Sequence, residues 1–305
     1  MIIEIVSSFI NLIPVTLAQS LMIGFVVIGI MLPFRILNFP DLTSEGAYPM
    51  GGCVAGAMIA SGFDPVTAML AAAASGFLAG CATAIIHLRF GINTLLAGIL
   101  VLTMLYSIDL RIMGRSNIAL FTFASLFRDV GGAYANNAWF KIVLVGLLIA
   151  VALALLYYFF ITERGAAMRA VGASPDMAEA QGISIWKATI LGVGAASAFT
   201  AFGGSLMVQA QGFADVNMGF GILINGLAAL IIGEAIIGRG TVARQLLAPI
   251  AGAIAFYQLL SLCLSLGLAP VDLKLATGLF VLVMLGVPGL KRSSVGILAR
   301  ERMRE

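Results

Sequence analysis

The chain has 305 residues, of which 61% are hydrophobic and 10% charged, and its net charge is +3. Soluble domains are about half apolar and about a quarter charged, so this composition excludes a soluble enzyme, a disordered chain and a nucleic-acid binder. The mean hydropathy of +1.08 is typical of a protein that resides in a bilayer. The sequence therefore predicts an all-α fold, a polytopic transmembrane helical bundle that occupies residues 1–305 as a single domain.

Apolar runs bounded by charged residues, Gly or Pro have about the 20 residues that a helix needs to cross hydrocarbon. About nine such runs occur, with eight and ten as the neighbouring counts. The spans at 42–61 and 219–238 carry polar residues, including Glu45 and Glu234, and are candidates for broken or re-entrant helices. The predicted spans are 8–34, 42–61, 65–87, 92–112, 139–162, 187–210, 219–238, 243–266 and 271–290.

The distribution of basic residues predicts the orientation, because Lys and Arg are retained on the cytoplasmic side of a membrane protein. One set of alternate connections holds twelve of the 17 Lys and Arg residues, and the other set holds five. The C-terminal tail lies on the richer side and is therefore predicted to be cytoplasmic. Nine spans then place the N-terminus outside.

Small residues within the predicted spans are spaced for close helix contact. Gly52–Gly56 and Gly76–Gly80 both have the G-x-x-x-G spacing that lets two helix backbones approach each other in lipid. One interpretation is a seam between two subunits. The alternative is packing within one subunit, which we favour because such spacing is common in membrane helices.

Motifs for several chemistries are absent from the sequence. A single histidine, His87, excludes an H-E-x-x-H zinc site, and we predict no metal site and no cofactor. No G-x-S-x-G elbow occurs, and no Lys follows a Gly, so the chain has no G-K-[ST] loop to bind ATP phosphates. We therefore predict that the chain is not an enzyme, and that any ATP that drives it is bound by another chain.

Carboxylates inside the membrane are expected in proton-coupled carriers, where they face a central cavity. The candidates that the sequence singles out are Glu45 and Glu234. Glu45 lies one turn after Asp41, where negative charge suits a helix N-terminus, and Glu234 lies five residues before Arg239, near the predicted cytoplasmic face. Neither is placed as a midplane proton relay, so an ion- or proton-coupled secondary transporter is the second interpretation of the chain.

The longest predicted cytoplasmic connection, 163–187, is rich in Ala and other small residues. Arg164–Val171 is predicted to form a short helix that Gly172 ends. A second short helix is predicted to start at Pro175 and to run to Gly182. Two such helices would be presented to the cytoplasm, and the alternative is a basic loop with incidental helicity.

Motifs in and after this connection occur in a distinctive order. They are Glu163-Arg-Gly, Arg169-Ala-Val-Gly, Pro175-Asp-Met-Ala and Gly182-Ile, then a Gly/Ala/Ser-rich span and Ala-Leu-Ile-Ile-Gly-Glu234. In this order the sequence resembles the inner-membrane permease subunits of ABC importers for branched-chain amino acids and related solutes, over nearly the whole chain. The resemblance implies a multi-pass permease that imports a small solute, an aromatic or branched-chain amino acid, across the cell inner (plasma) membrane.

The resemblance also implies partners. They are a separate ATP-binding cassette subunit that hydrolyses ATP, a periplasmic or extracellular solute-binding protein, and a second copy or a homologous permease that completes the solute path. It further implies that 163–187 is a coupling segment received in a cleft of the ATP-binding subunit. The residues that it assigns to coupling are Arg164, Arg169, Gly172, Pro175, Asp176, Ala178 and Gly182.

A finer similarity lies in Arg35–Gly52 and Arg111–Ile118, which resemble a branch of that family described as tryptophan/tyrosine or uncharacterised-solute permeases. Within the first segment, Pro40 disfavours helix at Phe39, and Pro49 would free a backbone carbonyl. Irregular backbone at membrane depth is tolerated where it is buried in protein or lines a wet cavity, so this stretch is predicted to border the solute pathway. The alternative is a structural kink between the first two helices. The predicted pathway residues are Asn38, Asp41, Glu45, Pro49 and Asn225.

The longest predicted outward connection, 113–138, carries Phe121, Phe123 and Phe127 among polar residues. This pattern predicts a short amphipathic helix on the outer surface. Such a face could receive a solute-binding protein. The alternative, which we favour on spacing alone, is that the segment plugs the outer end of its own bundle.

Overall fold

Eleven α-helices and two short strands make up the part of the chain that the computed structural model describes, residues 2–135 and 137–267 with 272, 275, 277–279 and 282 beyond them. The helices are α1 (Ile2–Met31), α2 (Thr43–Ala60), α3 (Pro65–Phe90), α4 (Thr94–Met113), α5 (Leu126–Gly131), α6 (Ala138–Ile161), α7 (Glu163–Ala173), α8 (Pro175–Ala180), α9 (Ile185–Gln211), α10 (Ile222–Ile237) and α11 (Val242–Ser265). The strands are β1 (Asn117–Ala119) and β2 (Phe213–Asp215). Leu32–Ile36 continue α1 as a π-helical turn, and Gly132–Tyr134 and Val216–Gly219 are single 3-10 turns.

Seven of the described helical segments are long and apolar enough to cross a membrane, and each coincides with a predicted span. They are Phe9–Ile36, Pro65–Phe90, Thr94–Met113, Ala138–Ile161, Ile185–Gln211, Val216–Ile237 and Val242–Ser265. The predicted span 42–61 corresponds to α2, whose 18 residues are not among the seven. The predicted span 271–290 and the C-terminal tail lie almost wholly outside the described residues. The prediction of a polytopic helical bundle fits this architecture, while the count of about nine and the cytoplasmic C-terminus stay predictions.

The two ends of the bundle carry different connections. At one end, which we call the strand end, β1 and β2 pair antiparallel with Ile118 opposite Ala214. At the other end, which we call the loop end, α7 and α8 connect α6 to α9. Because α9 begins directly after α8 and stops directly before β2, this helix runs from one end of the bundle to the other.

Small residues bring α2 and α3 into direct backbone contact with α9. A Cβ atom on Gly51 of α2 would lie 2.0 Å from the carbonyl oxygen of Ala201, and one on Gly76 of α3 would lie 2.5 Å from that of Ser197. No side chain fits in such gaps. Since lipid tails are as apolar as Leu, this close approach is what holds membrane helices together.

The G-x-x-x-G glycines contact their own chain. A Cβ atom on Gly80 of α3 would lie 2.3 Å from the carbonyl oxygen of Val193 in α9, and one on Gly56 of α2 would lie 2.9 Å from the Cβ atom of Ala214. These contacts agree with the interpretation of this spacing as packing within one subunit.

Local capping residues set the turn between α3 and α4. Gly91 adopts a φ of 66°, in the left-handed region where a helix commonly ends, and its N–H donates to the carbonyl of His87. The side chain of Asn93 then accepts a hydrogen bond from the backbone N–H of Leu95 at 3.0 Å. Gly91 and Asn93 therefore fix where α3 ends and where α4 begins.

The connection between β1 and α6 contains the short helix predicted for it, α5. Leu126 and Phe127 of α5 are buried in the main apolar core. The backbone N–H of Leu126 also donates to the side-chain oxygen of Gln209 in α9, at 2.8 Å. This segment therefore packs on the strand end of its own bundle, in agreement with the plug interpretation.

Filling the gap between α3 and α9 should destabilise the protein. We expect Gly76→Ala to lower the free energy of unfolding by about 1–3 kcal/mol, because the added methyl group would overpack the contact with α9. The matched control is Gly146→Ala in α6, where a Cβ atom would have no neighbour within 4 Å. Ala is the better helix former there by about 1 kcal/mol. Unfolding in detergent measures both variants, and equal stabilities would contradict this account of the packing.

Candidate functional site

A cavity of about 290 Å³ lies between α2, α4 and the segment 216–220 that precedes α10. It is lined by apolar residues together with carboxylate, hydroxyl and amide side chains. Its lining includes Glu45, Pro49, Thr103, Tyr106, Asp109 and Phe220. The segment 216–220 is not α-helical, and backbone of this kind at membrane depth is tolerated where it borders a cavity.

Pro49 and Glu45 of α2 hold that segment in place. Pro49 lies inside α2 and has no N–H to donate to the carbonyl of Glu45 one turn earlier. Gly219 packs against this carbonyl, since a Cβ atom on Gly219 would lie only 2.2 Å from the oxygen. The side chain of Glu45 then accepts a hydrogen bond from the backbone N–H of Gly221 at 2.8 Å, at the start of α10. Backbone and side chain of Glu45 thus both contact the irregular segment.

Asp109 of α4 also lines this cavity, and it is not among the residues that the sequence predicts for the site. Its relative exposure is 1%, and both carboxylate oxygens lack a hydrogen-bond partner in the described part of the chain. The available signal was a lone acidic residue within the apolar run 92–112. An ionisable group at such a position is expensive to bury and is usually functional.

Two aromatic side chains line the cavity and have much of their surface exposed. Tyr106 is 48% exposed and Phe220 is 77% exposed. Exposed rings beside polar groups can contact an aromatic group of a ligand by stacking or edge contacts. The cavity thus combines carboxylates with aromatic surface.

The structure brings only two of the five predicted pathway residues to this cavity, Glu45 and Pro49. Asp41 is fully buried, and its carboxylate accepts hydrogen bonds from the backbone N–H and the hydroxyl of Thr43, at 2.8 and 2.6 Å. Asn38 adopts a φ of 49° and lies at the loop end, in a separate cavity. Asn225 is in the first turns of α10 and is half-buried. A pathway role for all five residues stays a prediction.

The predicted coupling loop forms two helices, α7 and α8, whose ends differ from the expected boundaries. The helix α7 starts one residue earlier, at Glu163, and α8 ends at Ala180 rather than at Gly182. Gly172 does not end the first helix, because α7 continues to Ala173. Gly172 is instead a close-contact position, where a Cβ atom would lie 1.8 Å from the carbonyl oxygen of Ile36. The prediction that Gly172 is a helix-ending glycine is therefore wrong, and its lack of a side chain lets α7 pack on the π-helical turn of α1. Gly182 follows α8 with a φ of 77°.

The residues assigned to coupling divide into an inner and an outer set. Ala178 is buried, and Arg169 and Gly172 are half-buried. A guanidinium N–H of Arg169 donates to the carbonyl of Phe160 at 3.2 Å, which ties α7 to the end of α6. The exposed members are Arg164, Pro175, Asp176 and Gly182.

Glu234 near the end of α10 joins two arginines at the loop end. Its side chain is 6% exposed and forms salt bridges with Arg35, at 2.8 Å, and with Arg239. Arg35 and Glu234 also line one cavity with Gly172. Glu234 therefore links the end of α1 to the end of α10 beside α7, which agrees with its expected place away from the midplane.

Among the described residues, no group of three or more His, Cys, Asp or Glu side chains is arranged to hold a metal ion. Hydrogen bonding, charge and aromatic contact are what this site can offer a solute.

Comparisons with known proteins identify the family. Residues 13–288 match the family model described as branched-chain amino acid transport system / permease component. The chain is 38% identical over 277 residues to a tyrosine transport system permease protein of Clostridioides difficile (strain R20291), covering 91% of each chain. It is 30% identical over 279 residues to an uncharacterized protein of Rickettsia prowazekii (strain Madrid E), covering 90% of this chain and 97% of the relative.

No solved structure matches the chain. The matching family and the Clostridioides difficile relative are permease components of transport systems rather than catalytic enzymes, and the seven membrane-competent helices fit that role. This chain is therefore a multi-pass membrane permease of an amino-acid transport system, and it belongs to the family of branched-chain amino acid transport system permease components.

Proposed function

We propose that the chain is the membrane-spanning permease subunit of an ATP-driven importer in the cell inner membrane, and that its solute is an aromatic amino acid such as tyrosine. A separate ATP-binding subunit supplies the energy at the loop end, which is cytoplasmic, and a solute-binding protein delivers the solute at the strand end. A second copy or a homologous permease completes the solute path. The similarity to a tyrosine transport system permease supports the choice of solute.

The packing of α7 on α1 is the observation that carries the coupling part of the proposal. Gly172 puts the backbone of α7 against the π-helical turn that continues α1. Met168 of α7 is buried in the main apolar core, and Val171 of α7 is also buried. A force applied to α7 is therefore passed to the spans through rigid contacts. An incidental surface loop would have no such buried connection.

The exposed side of the same two helices offers a docking surface for the ATP-binding subunit. Met177 of α8 is 65% exposed, whereas its neighbour Ala178 is buried. Met is enriched at protein interfaces, where its flexible side chain adapts to a partner. The chain itself carries no G-K-[ST] loop for ATP phosphates, so hydrolysis requires that partner.

Transport of tyrosine should depend on ATP and on partner proteins. We expect vesicles that contain the chain, the ATP-binding subunit that co-purifies with it in mild detergent and its solute-binding protein to accumulate tritiated L-tyrosine only when ATP is supplied at the loop end. The purified chain alone should give no uptake under a proton or sodium gradient. Gradient-driven uptake by the chain alone would support the secondary transporter instead.

Docking of the ATP-binding subunit should depend on Met177. We expect Met177→Asp to reduce co-purification of that subunit by about tenfold or more, because a buried apolar contact is replaced by an unpaired charge. The matched control is Phe63→Asp, which places the same charge on an exposed apolar residue in the turn between α2 and α3 at the strand end. Equal co-purification with both variants would argue against docking at α8.

A further inference from the structure

Burial of the Asp109 carboxylate costs free energy, and no contact in the described part of the chain offsets this cost. Neither carboxylate oxygen has a hydrogen-bond partner in the described part of the chain, although the residue is almost completely buried. The salt bridges found among the described residues involve Glu234 at the loop end. A buried carboxylate that lacks both kinds of partner is costly, so a cation from outside the chain would be bound favourably.

The surroundings of Asp109 fit one kind of cation. The cavity that it lines holds the aromatic rings of Tyr106 and Phe220, which are largely exposed, and the carboxylate of Glu45. The Glu45 side chain already accepts the N–H of Gly221, whereas Asp109 accepts nothing. A ligand with an ammonium group and an aromatic ring would therefore meet a free carboxylate and ring surface in one cavity of about 290 Å³.

We propose that Asp109 binds the ammonium group of the imported amino acid, in the cavity between α2, α4 and 216–220. The contact is a charge-assisted hydrogen bond from the substrate ammonium to the Asp109 carboxylate. Glu45 and Pro49 position the 216–220 side of the cavity, and the rings of Tyr106 and Phe220 contact the apolar part of the solute. This inference rests on the proposed function, because it takes the solute to be an amino acid.

The test compares Asp109→Asn with wild type in the complete transporter. Asn keeps the size of the side chain but removes its charge, so we expect ATP-driven uptake of tritiated L-tyrosine to fall about tenfold or more. Asp109→Glu keeps a carboxylate and should retain a larger share of the uptake than Asp109→Asn. The matched control is Asp64→Asn, because Asp64 is an exposed N-cap of α3 and Asn is an equally good N-cap.

A second measurement uses the wild-type protein and does not depend on a variant that folds. An apolar carbodiimide modifies buried carboxyl groups, and mass spectrometry reports how much Asp109 is labelled. We expect L-tyrosine to slow the labelling of Asp109 several-fold, whereas desaminotyrosine, which has the ring but no ammonium group, should not protect it. The inference would be overturned if Asp109 were labelled at the same rate in the presence of L-tyrosine and of desaminotyrosine. It would also be overturned if the Asp109→Asn variant took up L-tyrosine as fast as wild type.

Failure of the inference and failure of the proposed function look different in these experiments. A wild-type complex that imports no tyrosine with ATP present would contradict the proposed function. A wild-type complex that imports tyrosine, with an Asp109→Asn variant that imports it equally well, would leave the proposed function standing and remove Asp109 from the binding site.

Discussion

Direct contact between the backbone of α9 and the helices around it is the constraint on which the rest of the bundle depends. Water drives apolar surfaces together in a soluble protein, but lipid provides no such force between two apolar helices. Gly51 of α2, together with Gly76 and Gly80 of α3, leaves space for α9 to touch these helices at its own carbonyl groups. The same helices then fix the neighbouring parts, because α2 carries the Glu45 and Pro49 contacts that hold the start of α10.

A glycine also allows a close backbone contact at the loop end, between α7 and the end of α1. Gly172 allows α7 to contact the carbonyl of Ile36 where α1 ends as a π-helical turn. Glu234 binds Arg35 beside this contact, so the ends of α1 and α10 are linked next to α7. A displacement of α7 must therefore move the end of α1 or break the contact. In the proposed function, this link connects the exposed face of α8, where we propose that the ATP-binding subunit docks, to the membrane-spanning helices.

Much of the fold can be predicted from the sequence, because the thickness of the bilayer sets the length of a membrane-spanning helix and capping residues mark where helices start and end. Apolar runs locate seven spans, and residues such as Asn93 mark helix starts. The sequence predicts that Pro49 leaves the carbonyl of Glu45 without its helical partner, and Gly219 packs against that carbonyl. That this region borders a solute pathway stays a prediction. Span lengths, helix caps and the effect of a proline depend on residues that are close in sequence, so they can be predicted without the positions of distant segments.

Other features depend on contacts between distant segments and could not be predicted. A helix-ending glycine and a close-contact glycine look identical in sequence, so the role of Gly172 required the position of Ile36. The pairing of Ile118 with Ala214 joins two strands of three residues, too short to show an alternating pattern. Asp109 was missed because one carboxylate hardly changes the hydropathy of a 20-residue helix, and its isolation appears only in three dimensions.

The claim that energy enters the spans through the contact between α7 and α1 is tested most directly by the number of solute molecules imported per ATP hydrolysed. Gly172→Ala would force these backbones apart and leaves the exposed surface of α8 unchanged. With the complex intact, the account predicts that this ratio falls several-fold in Gly172→Ala while ATP hydrolysis continues, and that it stays at the wild-type value in Gly146→Ala. A wild-type ratio in Gly172→Ala would contradict it.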